Sequence, residues 1–220
     1  MRGDAHDGMA PRPLARLPAD EKREIIVACA AIAFEAQGYK GTSMREIAER
    51  VGLTKAALYH YVSSKQDLLY AIHDAYLSEI TEHTLSFFDT HEDALERLRF
   101  VTREIVRTVA RYKPYVTVSF QEFRSLEGAY REDVITRRDA YETLVEDCVA
   151  SAVAAGRLRR ALDPRVVTLF LFGACNWTYQ WYREDGSYGP DELGDILFDL
   201  VVNGAFPSKT AEPAVASGAE

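Results

Sequence analysis

Apolar side chains return every three or four residues along most of the chain, and that spacing predicts helices and no strands. From Asp20 to Gly38 the apolar stripe is Ile25, Cys29, Ile32, Ala33 and Ala36, with Glu21, Lys22, Arg23 and Glu24 facing water. A shorter run carries Ile47, Ala48 and Val51 behind Ser43, which can cap it reciprocally with Glu46. Gly52 marks a bend, and Leu53 is read as a buried plug. Thr54 can cap a further helix of about two turns through Lys55, Ala56, Ala57, Leu58, Tyr59, His60 and Tyr61. Ser64 with Asp67 then opens a long helix whose Leu68, Leu69, Ile72, Tyr76 and Ile80 share one face.

Beyond Asp89-Thr90-His91 the helical spacing continues. Leu95, Leu98, Val101, Ile105 and Val109 make an amphipathic helix that Pro114 ends. Val116, Phe120 and Phe123 fit a short helix, and Val134, Arg138, Tyr141, Val145, Cys148 and Ala152 a long one that Gly156 stops. Asp163-Pro164 is a cap and first-turn pair for a helix running to about Arg183. That helix is apolar on nearly every side, with Val167, Leu169, Phe170, Leu171, Phe172, Ala174, Trp177 and Trp181. A helix apolar all round must be buried all round. Part of it, and of a last helix with Leu193, Ile196, Leu197, Leu200 and Val201, is therefore expected to meet a second copy of the chain.

The expected organisation is all-α: a flexible arm (1–18), a small head (19–66), a larger helical body (67–206) entered through a linking helix, and a flexible tail (207–220). Arg2, Arg12 and Arg16 of the arm are available for nonspecific phosphate contact.

Net charge of −8 argues against a nucleic-acid partner until the chain is divided. Residues 1–66 hold 10 Lys+Arg against 8 Asp+Glu, whereas 67–220 hold 16 against 26. Phosphate attraction is screened over roughly 10 Å, so a weakly basic head can bind DNA on an acidic body. Cys29, Cys148 and Cys175 are widely spaced in apolar sequence and are expected to be buried reduced thiols, neither a disulfide framework nor a metal cluster. The polar N-terminal stretch is not expected to act as a signal peptide, and no apolar run approaches the roughly 20 residues a bilayer needs. A cytoplasmic protein without a membrane partner, resident metal or cofactor is expected.

Two short helices joined by a tight turn over residues 42–67 form the pattern of a helix-turn-helix, a reader of the DNA major groove. Arg45 points outward by the helical period, where it can reach a guanine edge or a phosphate. The Thr42 and Ser43 hydroxyls, with free helix amides, suit a phosphate seat; simple capping fits them equally. Three consecutive rings, Tyr59, His60 and Tyr61, cannot all face inward.

The run from Thr42-Ser43 to Leu68, with Ile47-Ala48, Val51-Gly52-Leu53, Leu58-Tyr59-His60-Tyr61 and Ser64-Lys65, closely resembles the DNA-binding domain of TetR-type repressors. The resemblance implies a homodimer on a palindromic double-stranded operator. It places Lys55, Ala56 and Ala57 at the base-facing start of the recognition helix, with the capping Thr54 counted among the DNA-binding candidates, and implies that Tyr59 and Lys65 clamp phosphates. Tyr61 matches a position usually held by histidine or tyrosine, and His60 falls where the family varies.

The second informative stretch is Asn176-Trp177-Thr178-Tyr179-Gln180-Trp181-Tyr182. Aromatics mixed with amides suit an amphipathic ligand; core and dimer packing is the competing account. Asn176 and Gln180, four apart on an apolar helix, would need partners if buried. This run resembles the C-terminal pattern of a TetR subgroup controlling fatty-acid and steroid-ring degradation, which implies an acyl-CoA effector. Candidate lining residues are Phe120, Phe123, Arg124, Tyr141, Phe172, Asn176, Trp177, Gln180 and Trp181. Arg124 or the Arg157, Arg159, Arg160 group could meet coenzyme phosphates, although the latter three also fit a solvated turn. A drug, an antibiotic or another lipophile fits the same features. A helical enzyme is the rival from another class, but no Gly-x-Ser-x-Gly elbow, phosphate-cradling glycine loop or His-Glu-x-x-His pair occurs, so no catalytic residue is proposed. A helical adaptor that binds proteins is a third reading.

Overall fold

The computed structural model describes residues 17–204, and among these it contains ten α-helices, one 3-10 turn and no strand. Nearly all of the expected arm and the whole expected tail lie outside the described residues. The helices are α1 (Ala19–Gly41), α2 (Met44–Arg50), α3 (Lys55–Leu58), α4 (Lys65–Phe88) and α5 (Ala94–Arg111). They continue as α6 (Lys113–Gln121), α7 (Gly128–Ala154), α8 (Pro164–Asn176), α9 (Thr178–Trp181) and α10 (Pro190–Asn203). The 3-10 turn, Phe123–Ser125, follows α6.

The chain forms two compact units. The first takes the residues up to Glu79 with Tyr112–Arg138, and the second Ile80–Arg111 with the residues from Asp139 onward.

In the first unit α1 packs on α2 and α6, and α2 on α3. The buried face of α1 is Ile26, Val27, Ala30, Ala31, Ala33 and Phe34. This corrects the expected stripe: Ile32 is 51% exposed, Ile25 and Ala36 also reach solvent, and Cys29 is half-buried. The Ile25-Ile26-Val27 triplet offers two possible faces, and the one that presents Ala30, Ala31 and Ala33 lets a neighbouring backbone come close. Gly38, at φ +77°, takes a left-handed conformation that interrupts α1 one residue before Tyr39. Ile47, Leu58, Leu68, Leu69 and Ile72 are fully buried. Burial of each such side chain contributes roughly 1.5–3 kcal/mol.

The second unit is a bundle in which α5 packs on α8, α9 and α10, and α10 on α8. Its core gathers Leu98, Val101 and Ile105 of α5, Val145, Cys148 and Val149 of α7, Leu171 and Cys175 of α8, and Phe198 of α10. Burial pushes the Cys148 thiol up to about 11 and the Cys175 thiol up to about 12, so both are protonated packing groups. Along the α5–α10 seam, arginines at 99, 103 and 107 meet aspartates at 191, 195 and 199. Arg99 reaches Asp195 at 3.1 Å and Asp199 at 3.3 Å, Arg103 donates to Asp195 at 2.8 Å, and Arg107 pairs with Asp191. Each pair is partly exposed and worth little alone, but the four-residue spacing on both helices fixes their register. Gly194 sits inside this seam: a Cβ there would lie 2.6 Å from the Arg103 Cα.

The expected helix from Val166 to Arg183 is divided, with Trp177 capping α8 and preceding the short α9. Asp163 caps it as read from sequence, accepting from the amides of Arg165 at 2.9 Å and Val166 at 3.2 Å. Within one chain α8 buries only Thr168, Leu171 and Cys175 completely, while Phe170 is 63% exposed and Val166, Leu169 and Trp177 also face outward.

Candidate nucleic-acid interface and effector residues

The turn of residues 42–67 is built from caps. The Glu46 amide donates to Ser43 Oγ at 3.2 Å, and the Ser43 amide donates to Glu46 Oε2 at 2.7 Å, so α2 starts on a reciprocal capping box. Hydrogen bonding from the Ser43 amide first, and from its hydroxyl second, holds the Glu46 carboxylate below its ordinary range. Gly52, at φ +73°, turns the chain, and the Leu53 amide donates to the Ala48 carbonyl at 2.8 Å. Leu53 is half-buried, less enclosed than the plug expected from sequence. The Ala57 amide donates to Thr54 Oγ1 at 3.1 Å, fixing the start of α3.

The recognition helix is shorter than the sequence suggested. Regular α-helix ends at Leu58, and His60 and Tyr61 donate to the Ala57 and Leu58 carbonyls in the tighter three-residue pattern. The three rings therefore diverge. Tyr59 is 45% exposed, His60 is exposed, and Tyr61 is half-buried with the Lys22 ammonium 5.9 Å from its ring centroid. Lys55, Ala56, Tyr59 and His60 stand in solvent with Arg45 and Ser43, whereas Ala57 is half-buried. Arg45 is held by Glu49 at 2.7 Å, a surface pair that a phosphate or a base can displace.

Thr42 and Lys65 make contacts within the first unit. Thr42 is buried, and its hydroxyl donates toward the Ala33 and Gly38 carbonyls at 3.2 and 3.0 Å. That side chain ties α1 to the turn and is not offered to a phosphate. Lys65 is half-buried, its ammonium 4.3 Å from the Tyr39 ring centroid and 5.8 Å from that of Phe34. Desolvation lowers its pKa, opposed by Glu122 and Glu46.

Ties within the first unit that sequence reading did not find run from this turn to the segment after α6. The Tyr39 amide donates to Glu122 Oε1 at 2.9 Å, and Gln66 Nε2 donates to the Ser125 carbonyl at 2.7 Å. Their sequence separation leaves no periodic signal.

The proposed effector residues are divided between the two units. In the first unit Phe123 is half-buried, while Phe120 and Arg124 are exposed. In the second, Tyr141 is buried and stacks on Phe172 with centroids 5.9 Å apart, and its hydroxyl lies 3.1 Å from that of Thr84. Trp177, Gln180 and Trp181 are exposed and Asn176 is half-buried, so the premise of buried, partner-seeking amides fails for Gln180. One open cleft of about 440 Å³ lies in the first unit among Asp20, Arg23, Glu24, Asp74, Tyr112 and Tyr115, none of them foreseen. Three carboxylates on its walls make it unsuited to coenzyme phosphates. Among the described residues no helix is long and apolar enough to cross a membrane.

A helical chain carrying a capped helix-turn-helix near its N-terminal end is a DNA-binding regulator by architecture. The pattern of bacterial regulatory proteins of the tetR family matches residues 26–72, and that of tetracyclin repressor-like C-terminal domains matches residues 91–205. The chain belongs to the TetR family of transcriptional regulators. Its fold is similar to that of AibR crystallised with isovaleryl coenzyme A and operator DNA, at 31% identity and a TM-score of 0.73 over 81% of this chain and 96% of that one. It is also similar to PfmR from Thermus thermophilus, at 28% identity and a TM-score of 0.77 over 83% and 99%. The HTH-type transcriptional repressor KstR2 of Mycolicibacterium smegmatis is 23% identical over 189 residues, 86% of this chain and 92% of that protein.

Proposed function

We propose that the chain is a one-component repressor: a homodimer that binds a palindromic operator and releases it when a small amphipathic effector, an acyl-CoA thioester, occupies the body. The observation that carries the reading is the exposed set Arg45, Lys55, Ala56, Tyr59 and His60, presented by a capped turn that the rest of the first unit holds in place. Similarity to AibR, whose crystals contain operator DNA and isovaleryl coenzyme A, supports both halves of the reading. The dimer is supported by the outward Val166, Leu169 and Phe170 of α8 and Leu200 of α10, apolar surface on two helices that pack together. Two heads related by a twofold axis read two half-sites about 34 Å apart, so protein symmetry dictates operator symmetry. A regulator of this kind needs no catalytic centre and works in the cytoplasm, where its DNA is.

Arg45→Ala tests whether the reader and the effector site are separate. Operator affinity is expected to fall by about tenfold, in line with loss of one charged base or phosphate contact, while effector affinity holds. Joint loss of both affinities in a folded variant would refute the assignment.

A further inference from the structure

Within the first unit, His73 of α4 is fully buried and neither ring nitrogen has a protein hydrogen-bond partner. Ser119 of α6 is also fully buried, and its hydroxyl is likewise unpartnered. Buried polar atoms in native proteins are nearly always satisfied, so these two fully buried residues, in a unit that also leaves Gln66 Oε1 without a partner, call for an explanation. Arg138 of α7 links them. Its Nη2 donates to the Tyr76 hydroxyl at 2.9 Å and to the Ser119 carbonyl at 3.2 Å, and its guanidinium lies 4.7 Å from the Phe123 ring centroid. The His73 ring stands edge-on to the same Phe123 at 6.1 Å. Among the described residues Arg138 has no carboxylate in ion-pair range, although this acidic chain places aspartates beside most arginines of α5.

We propose that His73, Ser119 and Arg138 are the polar recognition point of the effector, holding an acceptor oxygen of its head group against the Phe120 and Phe123 rings. The oxygen belongs to an acyl carbonyl or a carboxylate. Three donors of different reach converge on the aromatic platform: an imidazole N–H, a hydroxyl and a cationic guanidinium. Burial and the nearby Arg138 hold His73 at about 3, so its ring is neutral and supplies one N–H at physiological pH. A purely apolar ligand would leave the His73 ring nitrogens and the Ser119 hydroxyl unsatisfied, which argues against hydrocarbons without a polar head. The segment that carries Phe123 also carries Glu122 and Ser125, which hold the Tyr39 amide and the Gln66 side chain. A head group settling on Phe123 thus bears directly on the link into α2 and on the start of α4. This inference rests on the reading that the chain takes a small amphipathic effector.

The test is calorimetric titration of the full chain with isovaleryl coenzyme A, free isovalerate and isovaleramide, beside His73→Leu and Ser119→Ala. At least one probe is expected to bind the wild type, and each variant to bind it about tenfold or more weakly, as loss of a buried donor entails. Thermal melting of the ligand-free proteins checks the fold: His73→Leu is expected to melt no lower than the wild type, because it removes an unsatisfied group. Binding of isovalerate or isovaleramide but not the thioester, with the same losses, would support the recognition point and discard the acyl-CoA effector. Variants that bind within twofold of the wild type, a lowered melting temperature for His73→Leu, or no binding by any of the three probes would overturn the proposal.

Discussion

Burial of His73 gives the first unit a pH signature. Its pKa is about 3 in the folded chain, against 6.5 for an ordinary imidazole, first through desolvation and second through Arg138. The unfolded chain binds the additional proton between those values, so this residue's contribution is fully present above pH 6.5 and is lost as pH falls toward 3. The slope reaches about 1.4 kcal/mol per pH unit. Urea denaturation at about pH 7 and about pH 5 should therefore show a larger loss for the wild type than for His73→Leu. Equal losses would mean that His73 is hydrated or protonated in the fold. Thr42→Val makes a second test at this scale. Its hydroxyl serves the Ala33 and Gly38 carbonyls, so the substitution should lower stability by about 1 kcal/mol through the lost buried bonds, without removing a phosphate contact.

Among the elements, α5 and α10 meet along a seam that tolerates no extra atom. In Gly194→Ala the new Cβ would stand 2.6 Å from the Arg103 backbone, so the helices must part and the arginine–aspartate rungs lose register. A cost of about 1–3 kcal/mol is expected, read as a lower urea midpoint. An unchanged midpoint would contradict the packing of these two helices. Helix α5 was legible in sequence because large apolar residues occupy a single face: Leu98, Val101, Ile105 and Val109 are buried and Leu95 partly so. Helix α1 was legible as a helix but not in its facing, since it buries small alanines where the pattern offered larger isoleucines. The capping box at Ser43 could be read because its partners are three residues apart. The ties from Tyr39 to Glu122 and from Gln66 to Ser125 could not, because nothing local encodes them. His73 had a faint signal, a polar residue beside Leu69, Ile72 and Tyr76 on an apolar stripe. The effector residues were the least legible, because an aromatic run such as Trp177 to Trp181 looks the same whether it meets a ligand, a core or another subunit.

For the whole molecule, the outward apolar surface of α8 and α10 gives the dimer a direct test. Phe170, 63% exposed in one chain, is expected to be covered in the assembly. Phe170→Glu should leave a folded monomer by sedimentation and weaken operator binding, because the two half-sites are no longer joined. A variant that remains dimeric would move the interface elsewhere. The central claim, a DNA reader released by a small effector, is tested most directly by fluorescence anisotropy. DNA from upstream of the protein's own gene and from other promoters would be titrated at fixed and then rising salt, with and without isovaleryl coenzyme A and longer acyl-CoAs. Tight, salt-sensitive binding to one palindromic fragment, weakened by an acyl-CoA, is the predicted result. Binding to no palindromic fragment would contradict the reader itself, and tight binding that no acyl-CoA relieves would contradict the effector.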